Sequence, residues 1–217
     1  MAPPPPFLSP LPFLPLGFSP SASSAFPPLL SPCVLNLDPN SFDPDTPAAP
    51  GIKLPDFRQQ IVLADGGVYD NLGLETAWKS DKTILVSNGG GALELQANPK
   101  HDWLDQTDRV LNIIYSQVVI LRTRSIVELF QLGVRDGSYW GIGSNIQNYK
   151  LPDALVCPFD VTTKLAETAT RLAAIDSELQ EQLIDWGFAI TDAGMRKHVL
   201  PNAPAPAQSP YGTFHKA

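Results

Sequence analysis

The residues of this chain with the clearest capacity for chemistry lie in one run, Leu63-Ala64-Asp65-Gly66-Gly67-Val68-Tyr69-Asp70-Asn71-Leu72-Gly73-Leu74-Glu75. An acidic side chain followed by two glycines sits on a sharp turn, because glycine permits backbone angles and close approaches that other residues resist. A carboxylate held rigidly and partly withdrawn from water is the usual form of a general base. Asp-Gly-Gly is also a common plain turn, and that reading stands beside the catalytic one. Asp65 is the candidate base. Gly66 and Gly67 would position it and keep its approach open. Asp70 and Asn71 would fix the turn through side-chain to backbone bonds, or simply cap the following helix.

The surrounding elements must hold that turn in place. Residues 61–64 read as a short buried strand that delivers Asp65. Leu72, Leu74, Ala77 and Trp78 then suggest a short helix with Asp70 or Asn71 as its N-cap. Residues 83–86 read as the next buried strand, and Ser87-Asn88-Gly89-Gly90-Gly91 as a turn and linker. Asp102 or Asp105 caps a long helix to about Leu132, with Leu111, Ile114, Val118, Leu121 and Leu132 on one apolar stripe. Residues 138–142 alternate and read as a strand. A second helix begins after Thr162 or Thr163, with Leu165, Ala169, Leu172, Leu179, Leu183 and Trp186 buried, and Asp192 caps a last short helix through His198. The chain from Pro201 is expected to be loose.

The Asp65 segment resembles the Asp-Gly-Gly/Ala block of the patatin-like phospholipases, a family of lipid acyl hydrolases. Other stretches resemble the same family in the same order. Ala22-Ser23-Ser24-Ala25-Phe26-Pro27-Pro28-Leu29-Leu30-Ser31-Pro32 is similar to its small-residue and proline segment, and residues 83–91 to the strand and glycine turn that follow. Gly137-Ser138-Tyr139-Trp140-Gly141-Ile142, Thr170-Arg171-Leu172 and Gln182-Leu183-Ile184-Asp185-Trp186-Gly187 are similar to its later part. The resemblance implies an α/β fold, a three-layer α/β/α patatin-like domain, and a Ser–Asp dyad in which Asp65 is the aspartate. It also implies a nucleophilic serine in a Gly-x-Ser-x-Gly elbow and a glycine-rich oxyanion loop, both earlier in the chain. This sequence contains no Gly-x-Ser-x-Gly. Gly17-Phe18-Ser19-Pro20-Ser21 lacks the last glycine and puts proline where an oxyanion N–H belongs. The expected fold is therefore incomplete, with the N-terminal strands and the nucleophile elbow absent. The expected organisation is a proline-rich tail over 1–20, the C-terminal part of a patatin-like domain over 21–204, and a loose tail over 205–217.

The chain has 217 residues, enough for one domain with a real core. Its formal net charge of −7 argues against nucleic acid, whose phosphates need clustered Lys and Arg, so no nucleic-acid partner is expected. Any peripheral membrane contact would have to be hydrophobic. The two cysteines, Cys33 and Cys157, read as buried free thiols. His101, His198 and His215 are scattered, so neither a metal nor another cofactor is implied. No uninterrupted apolar run is long enough to cross a bilayer, and the proline-broken, unbasic start does not read as a signal peptide. The expected location is cytoplasmic, with peripheral membrane association as the variant.

Most of the 23 prolines fall in the first fifty residues, which contain no Lys or Arg. The first twenty read as a solvated tail, or alternatively as a polyproline ligand for a partner. Three functions are in view. The first is a patatin-like acyl hydrolase, with a lipid or ester as substrate, carrying the dyad Asp65 without its serine and so inactive alone. The second is a non-catalytic interaction protein or pseudoenzyme derived from that fold. The third, an unrelated metal hydrolase using Asp65, Asp70 and Glu75, ranks last because the carboxylates come without a histidine.

Overall fold

The structure is a computed structural model that describes residues 18–27, 30–42, 53–91, 93, 95–169 and 173–215. In chain order its helices and strands are α1 (Phe18–Ser23), β1 (Cys33–Asn36), α2 (Pro55–Gln59), β2 (Gln60–Leu63), α3 (Gly67–Asp70), α4 (Leu74–Ser80), β3 (Thr83–Asn88), α5 (Trp103–Gln131), β4 (Asp136–Gly141), α6 (Phe159–Ala166) and α7 (Ser177–His198). The class is mixed helix and strand. The described strands form two separate two-stranded sheets, β1 with β2 and β3 with β4. Contacts divide the chain into two units: Met1–Gly73 with Gln96–Val118, and Leu74–Leu95 with Val119–Ala217.

In the first unit β1 and β2 run antiparallel, with Cys33 opposite Leu63 and Leu35 opposite Ile61. Those four side chains share one half-buried face, and Val34 and Val62 point the other way, 44% and 60% exposed. The strand before Asp65 is thus present, but it is not the buried strand that its unbroken apolar sequence suggests. Its polar partner Asn36 lets Gln60 close the ladder through a side-chain bond of 3.1 Å. Residues 18–20, expected to belong to the proline-rich tail, are helical, because α1 begins at Phe18. Pro20 is compatible with it, since proline in a first turn removes only an N–H that has no helical partner. The remainder of that tail and its polyproline motifs lie outside the described residues, as does Thr170-Arg171-Leu172.

The second unit holds the core. β3 and β4 are parallel, from Thr83 opposite Asp136 to Asn88 opposite Gly141. Ile84 and Val86 of β3 are buried, and Leu85 is half exposed on the opposite face. Gly137 is required where it stands: its φ is +147°, and a Cβ there would lie 1.9 Å from the Ile84 carbonyl oxygen. α7 packs on β4, with Trp186, Ala189, Ile190 and Ala193 joining Trp140, Ile146, Leu155, Cys157 and Leu165 in one cluster. Small residues on α7 permit the close approach. A Cβ on Gly194 would meet Ser138 Oγ at 2.9 Å and the Trp140 ring at 3.0 Å. The Trp186 indole N–H is satisfied by the Ile142 carbonyl at 2.8 Å.

Several expectations change at this level. The second long helix is two helices, α6 and α7, and Asp192 lies inside α7 instead of capping a separate one. The N-cap of α7 is Asp176, whose side chain accepts the Leu179 N–H. Asp102 does cap α5, accepting the Asp105 N–H at 3.0 Å. The expected stripe on α5 is not core: Ile126 is its only buried residue among those described, and Ile114 and Leu121 are about half exposed. By length and composition α5 is apolar enough to cross a membrane, with mean hydropathy 1.3 over an 18-residue window. The sequence reading missed this because Asn112, Ser116 and Gln117 interrupt the apolar run without lowering its average much. Cys157 is buried as expected, while Cys33 is only partly covered.

The chain beyond residue 204, expected to be loose, is tied down as far as His215. Asp185, fully buried in α7, accepts the Tyr211 N–H at 2.8 Å and both the N–H and hydroxyl of Thr213 at 2.7 Å. Phe214 then packs against the core. A composition rich in proline suggested looseness, but a carboxylate offered from the helix supplies the acceptors that these backbone groups need.

Candidate functional site

Asp65 follows β2 after a single intervening residue, Ala64, and is half buried. Its N–H donates to the Ala25 carbonyl at 2.9 Å, so the residue is fastened to the small-residue segment after α1. Its Oδ1 accepts the Gly67 N–H at 2.6 Å, and its carbonyl accepts the Val68 N–H at 3.2 Å. The carboxylate therefore sits over the start of α3 with one oxygen fixed. Among the described residues no side chain or backbone group donates to Oδ2. The arrangement offers one anchored oxygen and one oxygen able to accept a proton.

The other predicted residues divide. Gly67 is crowded: a Cβ there would lie 2.7 Å from Asp65 Oδ1 and 2.8 Å from Asn71 Oδ1, so those two side chains would have to shift. Gly66 is not: its φ of −64° and ψ of −27° are ordinary helical values, and a Cβ would meet nothing within 4 Å. Asp70 and Asn71 do not begin α4, as an N-cap would. Asp70 ends α3 and Asn71 is its C-cap, and Gly73, with φ +63°, turns the chain before α4 starts. The extra turn α3 displaces the cap because Asp65 itself initiates a helix, which the spacing of the apolar residues does not show. Glu75 is engaged by Lys79 at 2.7 Å and Arg122 at 3.3 Å. These cations hold its carboxyl below the usual range, first through the Lys79 bond and then through Arg122.

Tyr115 of α5 is a neighbour of Asp65 that sequence reasoning missed. Its ring meets Phe26 edge-on, with centroids 6.3 Å apart and planes at 88°. Burial first, and then the charge of Asp65, pushes its phenol above the usual value, so it keeps its proton at neutral pH. Fifty residues separate the two in sequence, and no local pattern links them. No family model matches the chain, and no curated protein or solved structure is significantly similar to it. The reading of the site therefore rests on its own geometry.

That geometry also shows polar groups whose work is structural. Arg196, 5% exposed, is held by Asp192 at 2.8 Å and by Asp153 at 2.7 Å. The Asp192–Arg196 spacing of one helical turn was a legible signal for this pair. Asp185 gave no such signal, because its partners are backbone groups distant in sequence. Among the described residues no three His, Cys, Asp or Glu side chains gather to hold a metal.

Proposed function

We propose that the chain is the base-bearing part of a patatin-like lipid acyl hydrolase, with a three-layer α/β/α domain completed by polypeptide that carries the nucleophile elbow. The observation that carries this reading is the Asp65–Ala25 bond of 2.9 Å. It joins two of the stretches that resemble the family, the small-residue segment and the Asp-Gly-Gly turn, at the carboxylate. In the reaction a serine from Gly-x-Ser-x-Gly attacks the ester carbonyl and Asp65 takes its proton. The aspartic acid returns that proton to the leaving alcohol, and water then releases the acyl group by the same route. The oxyanion requires N–H donors aimed at it from the elbow side. Asp70 and Asn71 end the helical turn that follows Asp65. Alone, the chain supplies a base and no nucleophile, and is inactive.

The test is reconstitution. The full chain is co-expressed with an elbow-bearing N-terminal half of a patatin-like domain, and hydrolysis of a short p-nitrophenyl ester is measured. The pair is expected to associate and hydrolyse the ester, and Asp65→Asn should lower the rate by about two to four decades. Failure to associate, or an Asp65→Asn rate within about tenfold of the parent, overturns the proposal. Stoichiometric labelling of a serine in the chain alone by a fluorophosphonate would do the same.

A second reading is favoured by the exposed apolar residues of α5, including Ile113, Ile114, Ile120 and Leu121, each 45–51% exposed. It is a non-catalytic interaction protein, with that helix meeting a partner or a lipid surface.

A further inference from the structure

A cleft of about 530 Å³ opens beside β4 in the second unit. Its wall combines the phenols of Tyr139 and Tyr149, the amides of Asn145 and Asn148, the imidazole of His198 and the ring of Phe159. Its size falls within the range of small-ligand sites. No Asp, Glu, Lys or Arg lines it. Acyl hydrolysis at Asp65 makes no use of it.

The hydrogen bonds already formed around the cleft define what remains on offer. Tyr139 Oη accepts from the Asn88 amide at 3.0 Å, which leaves its own O–H to donate. Tyr149 does the reverse: its O–H donates to the Tyr139 carbonyl at 3.2 Å, leaving the phenol oxygen to accept. Ser144 Oγ, also in the wall, accepts the Gly141 N–H at 3.0 Å and keeps a donor. Asn145 Oδ1 is used by the Gln147 N–H at 3.0 Å, so its NH₂ is available. His198 packs edge-on against Tyr149, with centroids 5.9 Å apart. Burial, and then Lys197, lowers its pKa, so at neutral pH the ring carries one donor and one acceptor.

The wall thus alternates donors with acceptors and carries aromatic faces, one of which, Phe159, is 46% exposed. A ligand matched to it has hydroxyls that both donate and accept, an apolar C–H face for the rings, and no charge. An anion finds no cation in the wall, and Asp160 in the first turn of α6 opposes it. A cation finds no carboxylate there. We propose that this cleft binds a neutral polyhydroxylated ring, a sugar, held by Tyr139, Asn145, Asn148 and Tyr149 against Phe159.

The test uses the full chain and amide NMR, with glucose, galactose and N-acetylglucosamine as free sugars, octyl glucoside as a lipid-borne sugar, and glucose 6-phosphate as the charged control. At least one neutral sugar should shift the amides of Gly143, Ser144 and Asn145 saturably, with a dissociation constant of about 1 mM. Asn148→Ala, at an exposed position, should weaken that binding about tenfold, and Phe159→Ala should weaken it independently. A shift by octyl glucoside alone assigns the site to a glycolipid headgroup, and a shift by free sugars assigns it to soluble sugar. The proposal is overturned if no neutral sugar saturates these amides, if glucose 6-phosphate binds more tightly than its neutral parent, or if both variants bind as the parent does. It stands or falls apart from any role of Asp65.

Discussion

Replacing Asp185 by asparagine should destabilise the protein by about 3 kcal/mol. The side chain has no exposed surface, and both its oxygens are used. Oδ1 takes the Tyr211 N–H, and Oδ2 takes the N–H and hydroxyl of Thr213. Asparagine keeps the shape but has only one oxygen. In its better orientation the NH₂ replaces Oδ1 and faces the Tyr211 N–H, donor against donor. One bond to a charged acceptor is lost, about 1.5–3 kcal/mol, and a buried N–H is left unmet, about 1–3 kcal/mol. Relief from burying a charge offsets part of this, which leaves about 3 kcal/mol. For a chain of this size that is a fall in Tm of roughly 6–12 °C. Thermal melting by circular dichroism reads it, and limited proteolysis should show earlier cleavage after Pro210.

The same carboxyl gives a pH signature. Burial pushes its pKa up, but the bonds from Thr213, Tyr211 and Ser209 more than reverse this and hold it below the ordinary 3.8. A folded value below the unfolded one means that the native state releases its proton more readily. The stabilisation is therefore complete above the unfolded value and is lost as pH falls through the folded one. The parent-minus-mutant difference in Tm should be constant near neutrality and shrink in acid. An asparagine variant as stable as the parent at neutral pH would refute the reasoning, because it would mean that the 211–213 segment does not depend on the carboxylate.

Two further outcomes follow from local geometry. Gly67→Ala should cost about 1–3 kcal/mol more than Gly66→Ala, because only the former drives a methyl into the Asp65 and Asn71 side chains; equal melting of the two variants would contradict the turn as described. With Ellman's reagent at neutral pH, Cys33 should react well before Cys157, whose thiol burial and then Asp185 push up to about 12; comparable rates in the two single-cysteine variants would contradict this.

What the sequence made legible was whatever is encoded within a few residues. Asp102 as a cap, the strands around residues 83 and 138, and the turn at Asp65 are all local signals, and each is where it was read. The errors arise where distance in the chain matters. Residues 61–64 look buried by composition, yet β2, which among the described residues pairs with β1 alone, has two faces, and nothing local says that one of them stays exposed. The stripe on α5 has helical spacing, but spacing shows that residues share a face and not that anything covers it. The charge of Asp65 acting on Tyr115, and the bonds of Tyr211 and Thr213 to Asp185, link segments that no periodicity connects. Asp185 falls in a stretch that resembles the family, while its physical role is to anchor residues 211–213.

The two readings of Asp65 differ in which oxygen they use. A turn residue needs only Oδ1, the atom that accepts the Gly67 N–H at 2.6 Å. A catalytic base needs the second oxygen and its capacity to take a proton. Asparagine separates these roles. Turned with its carbonyl toward Gly67, it caps the turn about as well as aspartate, because both residue types serve at such positions. It cannot accept the serine proton. Asp65→Asn should therefore leave Tm within about 0.5 kcal/mol equivalent of the parent while removing hydrolysis in the reconstituted domain. If stability fell sharply instead, the carboxylate would be held by the charge of its surroundings and the structural reading would gain. If neither stability nor activity moved, the catalytic reading of Asp65 would fail and the turn reading would stand, and the exposed face of α5 would become the feature that the function has to explain.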